Sequence, residues 1–235
     1  MKHLFFACLF YFSTSIYAQE SCNRFVFADF DDALIEYWDK ITADGQKENA
    51  AAPLNDLKDE WQCTKNEIDI ACTAKESIEL FIFIVNSNIA SLDTFYSNKS
   101  EIMGVFQCIE IQNAFQKIRV EEFQYSYALD KLWDTYENYE QLNIIVHDQM
   151  LDLNTWKEFQ HLVNEIEVNF KEYTKLCIEQ KKTNFDFLVH ENTVKNFNDC
   201  LSKFKLSTQQ GYQPDIEMPC DELGHAIKQI MRLHL

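Results

Sequence analysis

The residues best suited to chemistry near the start of the chain are Asp29, Asp31 and Asp32, set just after the apolar run Phe25-Val26-Phe27. Acids this close together also have a structural use, because a helix start favours negative charge. They do not form an EF-hand loop, since no glycine occupies the sixth position. Zinc-type ligands are sparse. Cys220, His225 and His234 come nearest to a set, and no His-x-x-x-His pair occurs among the six histidines. Disulfide formation competes for the cysteine, so no metal and no other cofactor is expected. The chain has no Gly-x-Ser-x-Gly, and none of its cysteines stands in a recognisable protease context. No catalytic residue is expected on these grounds.

The segment Phe25-Val26-Phe27-Ala28-Asp29-Phe30-Asp31-Asp32-Ala33-Leu34 resembles the first motif of haloacid-dehalogenase-type phosphatases. That resemblance implies Asp29 as nucleophile, Asp31 as general acid/base, and a bound magnesium ion. It also implies a parallel sheet of Val/Ile-rich strands around the site. Ala33 stands where the motif usually carries Thr or Val.

The elements that would position such a site are of another kind. The 235 residues include only four glycines and three prolines, where average usage would give about 28 of the two types. Hairpin-rich sandwiches need turn residues at every reversal. Phosphate-binding loops and nucleophile elbows need glycines at fixed places. Long helices with few tight turns fit this composition best.

Apolar residues recur at helical spacing. The clearest stripe is Trp156, Phe159, Val163, Ile166, Phe170, Tyr173 and Cys177, with Thr155 and Glu158 placed to form a capping box. A second runs Tyr125, Leu129, Leu132, Tyr136 and Tyr139, interrupted at Asn143 before Val146. A third starts at Leu54, Leu57 and Trp61, weakens, and recovers through Ile78, Ile82, Val85, Ile89 and Leu92. An early helix carries Phe27, Phe30, Leu34, Tyr37 and Ile41, with Gly45 as its stop. Residues 192–204 and 221–234 are shorter candidates, and 42–53, 97–100 and 207–219 are the expected connections. The stripes are crowded with rings rather than Leu and Ile, which suits an irregular globular core better than a coiled-coil seam. The expected fold is all-α: a disulfide-stabilised, irregular bundle of five to seven helices.

Residues 1–18 read as a separate object. Lys2 and His3 precede an apolar run from Leu4 to Phe12, and the segment closes on Ala18. This is the pattern of a secretory signal peptide, and the run is short of the ~20 apolar residues a membrane span needs. A single secreted, extracellular domain over 19–235 is therefore expected, with no membrane span after the signal is removed. Loss of Lys2 moves the net charge from −17 to −18. A body this acidic repels phosphates, so nucleic acid is not an expected partner.

Seven cysteines remain once Cys8 leaves with the signal: Cys22, Cys63, Cys72, Cys108, Cys177, Cys200 and Cys220. An oxidising compartment pairs cysteines, and an odd count leaves one thiol over or bonded to another chain. A disulfide-linked dimer is thus a possible state. Along one continuous helix Cys63 and Cys72 face opposite sides, about 13.5 Å apart in rise, too far for a bridge. They bond to different partners unless the helix breaks between them. Asn98-Lys99-Ser100 is a glycosylation sequon, which makes Asn98 the expected glycan site.

The signal segment, the acidic, aromatic-rich chain, Cys63-x8-Cys72, Cys108 within Val105-Phe106-Gln107-Cys108-Ile109, and Cys177 followed by Cys200 together resemble nematode-type secreted cysteine-rich helical proteins, a domain of unknown function. The resemblance implies an extracellular helical domain and assigns no catalytic residue. Three readings of function follow. The first is a non-enzymatic protein-interaction module, from the odd cysteine and the acidity. The second is an extracellular carrier of an apolar small ligand between helices, from the aromatic stripes. The third is the phosphatase.

Overall fold

The computed structural model describes residues 27–43, 49–71, 76–98, 101–123, 127–148, 152–180, 187–210 and 214–234. Among them are eight α-helices and no strand. These are α1 (residues 27–42), α2 (Ala51–Ala71), α3 (Glu76–Asn98), α4 (Glu101–Phe123), α5 (Ala128–Asp148), α6 (Leu153–Gln180), α7 (Phe187–Gln210) and α8 (Pro214–Arg232). No helix of the described residues is long and apolar enough to cross a membrane.

The all-α expectation holds, and the helix count exceeds five to seven for physical reasons. The stripe from Leu54 to Leu92 belongs to two helices, α2 and α3, separated at 72–75. Helix α4 was not legible as a stripe because it is apolar on more than one side. Val105, Ile109, Ile111, Phe115 and Ile118 are buried on it while Ile102, Met103 and Val120 are exposed. The connection expected at 207–219 is also much shorter, since α7 continues to Gln210 and α8 begins at Pro214. Pro214 suits a first helical position. Pro219 lies inside α8, where the hydrogen bond it forfeits would have ended on exposed Asp215 in the first turn.

The chain divides into two compact units, residues 1–125 with α1–α4 and residues 126–235 with α5–α8. In the first unit, α3 and α4 pack along each other, and rings from three helices form the core. Phe115 of α4 stands edge-on to Phe27 and Phe30 of α1, at 5.4 and 4.6 Å between centroids, and to Trp61 of α2 at 6.2 Å. Such edge-to-face contacts add about 0.5–1.5 kcal/mol each beyond area burial. The Trp61 indole donates to Asn86 Oδ1 at 2.7 Å and ties α2 to α3.

In the second unit α5 packs on α6 and α8, and α7 on α8 and α6, which closes a ring of four helices. Helix α6 starts at a reciprocal cap: the Thr155 N–H donates to Asp152 Oδ1 at 2.9 Å, and the Asp152 N–H donates to Thr155 Oγ1 at 2.7 Å. The cap is thus Asp152 with Thr155, one turn before the expected Thr155 with Glu158. Helix α8 lies against α5 so closely that a Cβ at Gly224 would overlap the buried Tyr139 ring.

No disulfide joins the cysteines of the described residues. Cys63 is exposed on α2, Cys108 is buried in the first unit, Cys177 is half-buried on α6, and Cys200 and Cys220 are buried on α7 and α8. Each apolar position takes a thiol as a small hydrophobe. Helix α2 runs unbroken from Cys63 to Ala71. Cys22, Cys72, residues 1–18 and the side chain of Asn98, which ends α3, lie outside the described residues.

Candidate functional site

The acids singled out by their spacing do not converge. Asp29 and Asp32 are exposed on α1, whereas Asp31 is 3% exposed and faces inward. Both its carboxylate oxygens accept from Nη1 of Arg119, at 2.8 and 2.7 Å. Arg119 is wholly buried, and its guanidinium lies 4.6 Å from the Phe115 ring centre. Asp31 is therefore one half of a buried ion pair joining α1 to α4, packed among rings. A carboxylate so committed is not presented to a substrate, and the surroundings are helical rather than a sheet edge.

The possible zinc set is equally scattered. Cys220 is buried, and burial pushes its thiol up to about 12. His225 is exposed, one turn further along α8. His234 is buried against Tyr173. Among the described residues no group of three or more His, Cys, Asp or Glu side chains is placed to hold a metal ion.

What the structure gathers instead is a polar cluster within the second unit. The Tyr173 hydroxyl of α6 lies 3.1 Å from His190 Nε2 of α7 and 3.1 Å from His234 Nε2, just past the end of α8. All three side chains are buried, and Cys177, one turn along α6, is within hydrogen-bond reach of the same hydroxyl. Burial pushes the Tyr173 pKa well up, so the phenol keeps its proton. Burial also lowers the His190 pKa, partly opposed by the Glu191 charge. Desolvation thus disfavours the charged forms of Tyr173 and His190 alike.

A second feature opens on the surface. A cleft of about 360 Å³ lies between α6 and α7, lined by Trp156, Phe159, Gln160, Val163, Asn164, Lys205, Thr208 and Gln209. The half-buried Trp156 ring stacks on buried Phe159, with centroids 5.0 Å apart and planes 6° from parallel. Phe204 of α7 packs on Phe159 at 5.6 Å between centroids, the planes tilted by 41°. The floor is therefore rigid and aromatic. The rim is polar and carries side-chain amides, a hydroxyl and an ammonium. Lys205 donates to Glu167 at 2.6 Å, and Lys171 donates to the other Glu167 oxygen at 2.7 Å. These two hydrogen bonds hold the Glu167 carboxyl below its ordinary pKa.

Only part of this was visible beforehand. The stripe from Trp156 to Tyr173 is core along most of its length, and its first members, Trp156, Phe159 and Val163, also line the cleft. Gln160 and Asn164 lie one turn apart on the flank of that stripe, a polar pair the periodicity offered no reason to single out. Lys205, Thr208 and Gln209 were missed because α7 was expected to stop at Phe204. His190 and His234 carried no motif; they meet through a tyrosine 17 and 61 positions away. No family model, curated protein or solved structure matches this chain.

Proposed function

We propose that the protein is a secreted, non-enzymatic binding module that takes an extended segment of a basic partner protein into the cleft between α6 and α7. The cleft carries this reading. A rigid ring pair bordered by side-chain amides suits a segment bearing a proline or aromatic residue, because the ring stacks while Gln160, Asn164 and Gln209 supply both donors and acceptors to its backbone. A volume of about 360 Å³ lies at the small end of ordinary ligand sites, so it holds a side chain and its neighbours rather than a large cofactor. The net charge of −17 favours partners with lysine and arginine around that segment. Residues 1–18 supply the export signal.

The carrier of an apolar ligand is the second reading. It is less well supported because Phe159, Phe170, Phe197 and Phe204 fill the interior of the second unit against one another, with Phe170 and Phe197 stacked at 3.6 Å. Selection of a random-peptide display library on the mature protein tests the two together. The module predicts enriched peptides with a ring and basic flanks, whose affinity falls at least tenfold in Trp156→Ala. Failure to enrich peptides, with binding of a fluorescent fatty acid instead, would transfer support to the carrier.

Secretion has a consequence for the thiols. Cys108, Cys200 and Cys220 are shielded by burial, so the bridges we propose draw on exposed Cys63, half-buried Cys177, Cys22 and Cys72. Exposed Cys63 is the thiol we assign to a second chain, as in a disulfide-linked dimer. Electrophoresis without reductant is expected to show a dimer band that Cys63→Ser removes; a monomer under both conditions would reject the covalent dimer.

A further inference from the structure

We infer that Tyr173, His190 and His234 form an acid-sensitive latch that holds the end of α8 against α6 and α7 at neutral pH and releases it in acid. The geometry is that of one hydroxyl between two imidazole nitrogens, each 3.1 Å away. A phenol has a single proton. It donates to one Nε2 and accepts from the protonated Nε2 of the other ring, so the two histidines are neutral and in opposite tautomers. Protonation of the accepting ring leaves the hydroxyl facing two donors, and its own proton must then find another acceptor. Cys177 is a polar side chain within reach, and a thiol is a weak acceptor. Protonation of both rings adds a repulsion between two buried cations. Either event removes the reason for the three side chains to converge.

The latch joins distant stretches of chain. Tyr173 sits late in α6, His190 early in α7, and His234 follows a closing turn in which the Leu233 and His234 N–H groups donate to the carbonyls of Ile230 and Met231 at 3.0 Å. That turn places His234 one residue from Leu235, which lies outside the described residues. Among the described residues, Cys177 of α6, Glu191 of α7 and exposed Arg232 of α8 lie next to the network on its own elements. Glu191 favours the His190 cation. Burial outweighs Glu191 and leaves His190 with a lowered pKa. The sign follows directly. A histidine that is harder to protonate when folded contributes stability that is complete above the ordinary value of about 6.5 and is lost as the pH falls through it.

Hydrogen exchange of the full mature protein, corrected for the intrinsic effect of pH, tests the inference. Amides of residues 230–234 are expected to lose at least tenfold in protection between pH 7.5 and pH 5, with α5 amides changing less than twofold. The double variant His190→Gln, His234→Gln keeps hydrogen-bonding groups but cannot titrate, and its protection there is expected to be independent of pH. Equal protection of wild type at the two pH values would overturn the latch, as would a full pH response in the glutamine variant. Histidine ring titration by nuclear magnetic resonance gives an answer even where that variant fails to fold: His190 titrating at the ordinary value or above would overturn it too.

Discussion

The two units solve the same problem, a polar group inside an aromatic core, in opposite ways. The first buries a full charge pair, Asp31 with Arg119, packed against Phe115. The second buries a phenol between two imidazoles. In a buried ion pair each charge stabilises the other, so the charged forms of both partners are the favoured ones. A neutral histidine network is stable only while its rings stay unprotonated. The comparison teaches that burial alone does not decide sensitivity to conditions; the charge state that burial selects does.

The largest effect expected from breaking this contrast is in the first unit. Arg119→Ala leaves the Asp31 carboxylate buried without its cation, and such a loss costs about 3–5 kcal/mol. Replacing both partners, Asp31→Leu with Arg119→Met, is expected to recover most of that in urea unfolding. Equal losses for the single and the double substitution would mean that the pair is not the source of the cost. Neither variant should change the pH response of the second unit.

Next in size is Gly224→Ala. The added Cβ collides with the ring and hydroxyl of Tyr139, which is 5% exposed. Overpacking of this kind costs about 1–3 kcal/mol, and Tyr139→Leu in the same chain is expected to restore part of it. Thermal unfolding measures both. An unchanged Tm for Gly224→Ala would show that α5 and α8 are less closely packed than described.

Tyr173→Phe sharpens the comparison most finely. Losing the hydroxyl removes hydrogen bonds worth about 1 kcal/mol each, so a loss of about 1–2 kcal/mol is expected at pH 7.5. At pH 5, where wild type has already lost the network, the same substitution is expected to cost much less. A loss of equal size at both values would show that the hydroxyl acts independently of the histidines.

The smallest effects concern the thiols. Cys63 is expected to react with an alkylating reagent in the reduced native protein. Cys108 and Cys220, whose burial raises their pKa values, are expected to react only on unfolding. Mass spectrometry of the labelled protein reads this out, and prompt labelling of Cys108 would contradict its place in the core.

Much of the architecture could be read from spacing. The stripes of α1, α5 and α6 are regular enough that Phe30, Leu34, Leu132, Tyr136, Ile166 and Phe170 were recognisable as inward positions, and all are buried. Helix α4 was not, because apolar residues on several sides erase the period that reveals a helix. The reach of α7 was cut short because its last turns, Lys205 to Gln210, offer little beyond Leu206, which proves to be 60% exposed. The chemistry was harder to see than the helices. Asp31 stood out by its neighbours in sequence, yet its role depends on Arg119, 88 positions away. Tyr173 was placed on the right face as a core ring, but its hydroxyl is explained only by two histidines that no local pattern connects to it. Periodicity reports which face of a helix is covered; it carries no information about which polar groups meet there.

The indole protons offer the most direct measurement. The four tryptophans are spread over both units: Trp38, Trp61 and Trp133 are buried, and Trp156 lines the cleft. Addition of a display-selected peptide to the protein, followed by nuclear magnetic resonance, is predicted to shift the Trp156 indole signal strongly and the other three little. A shift concentrated on Trp38 or Trp61, or saturable binding that leaves Trp156 unmoved, would contradict the cleft between α6 and α7 as the binding site.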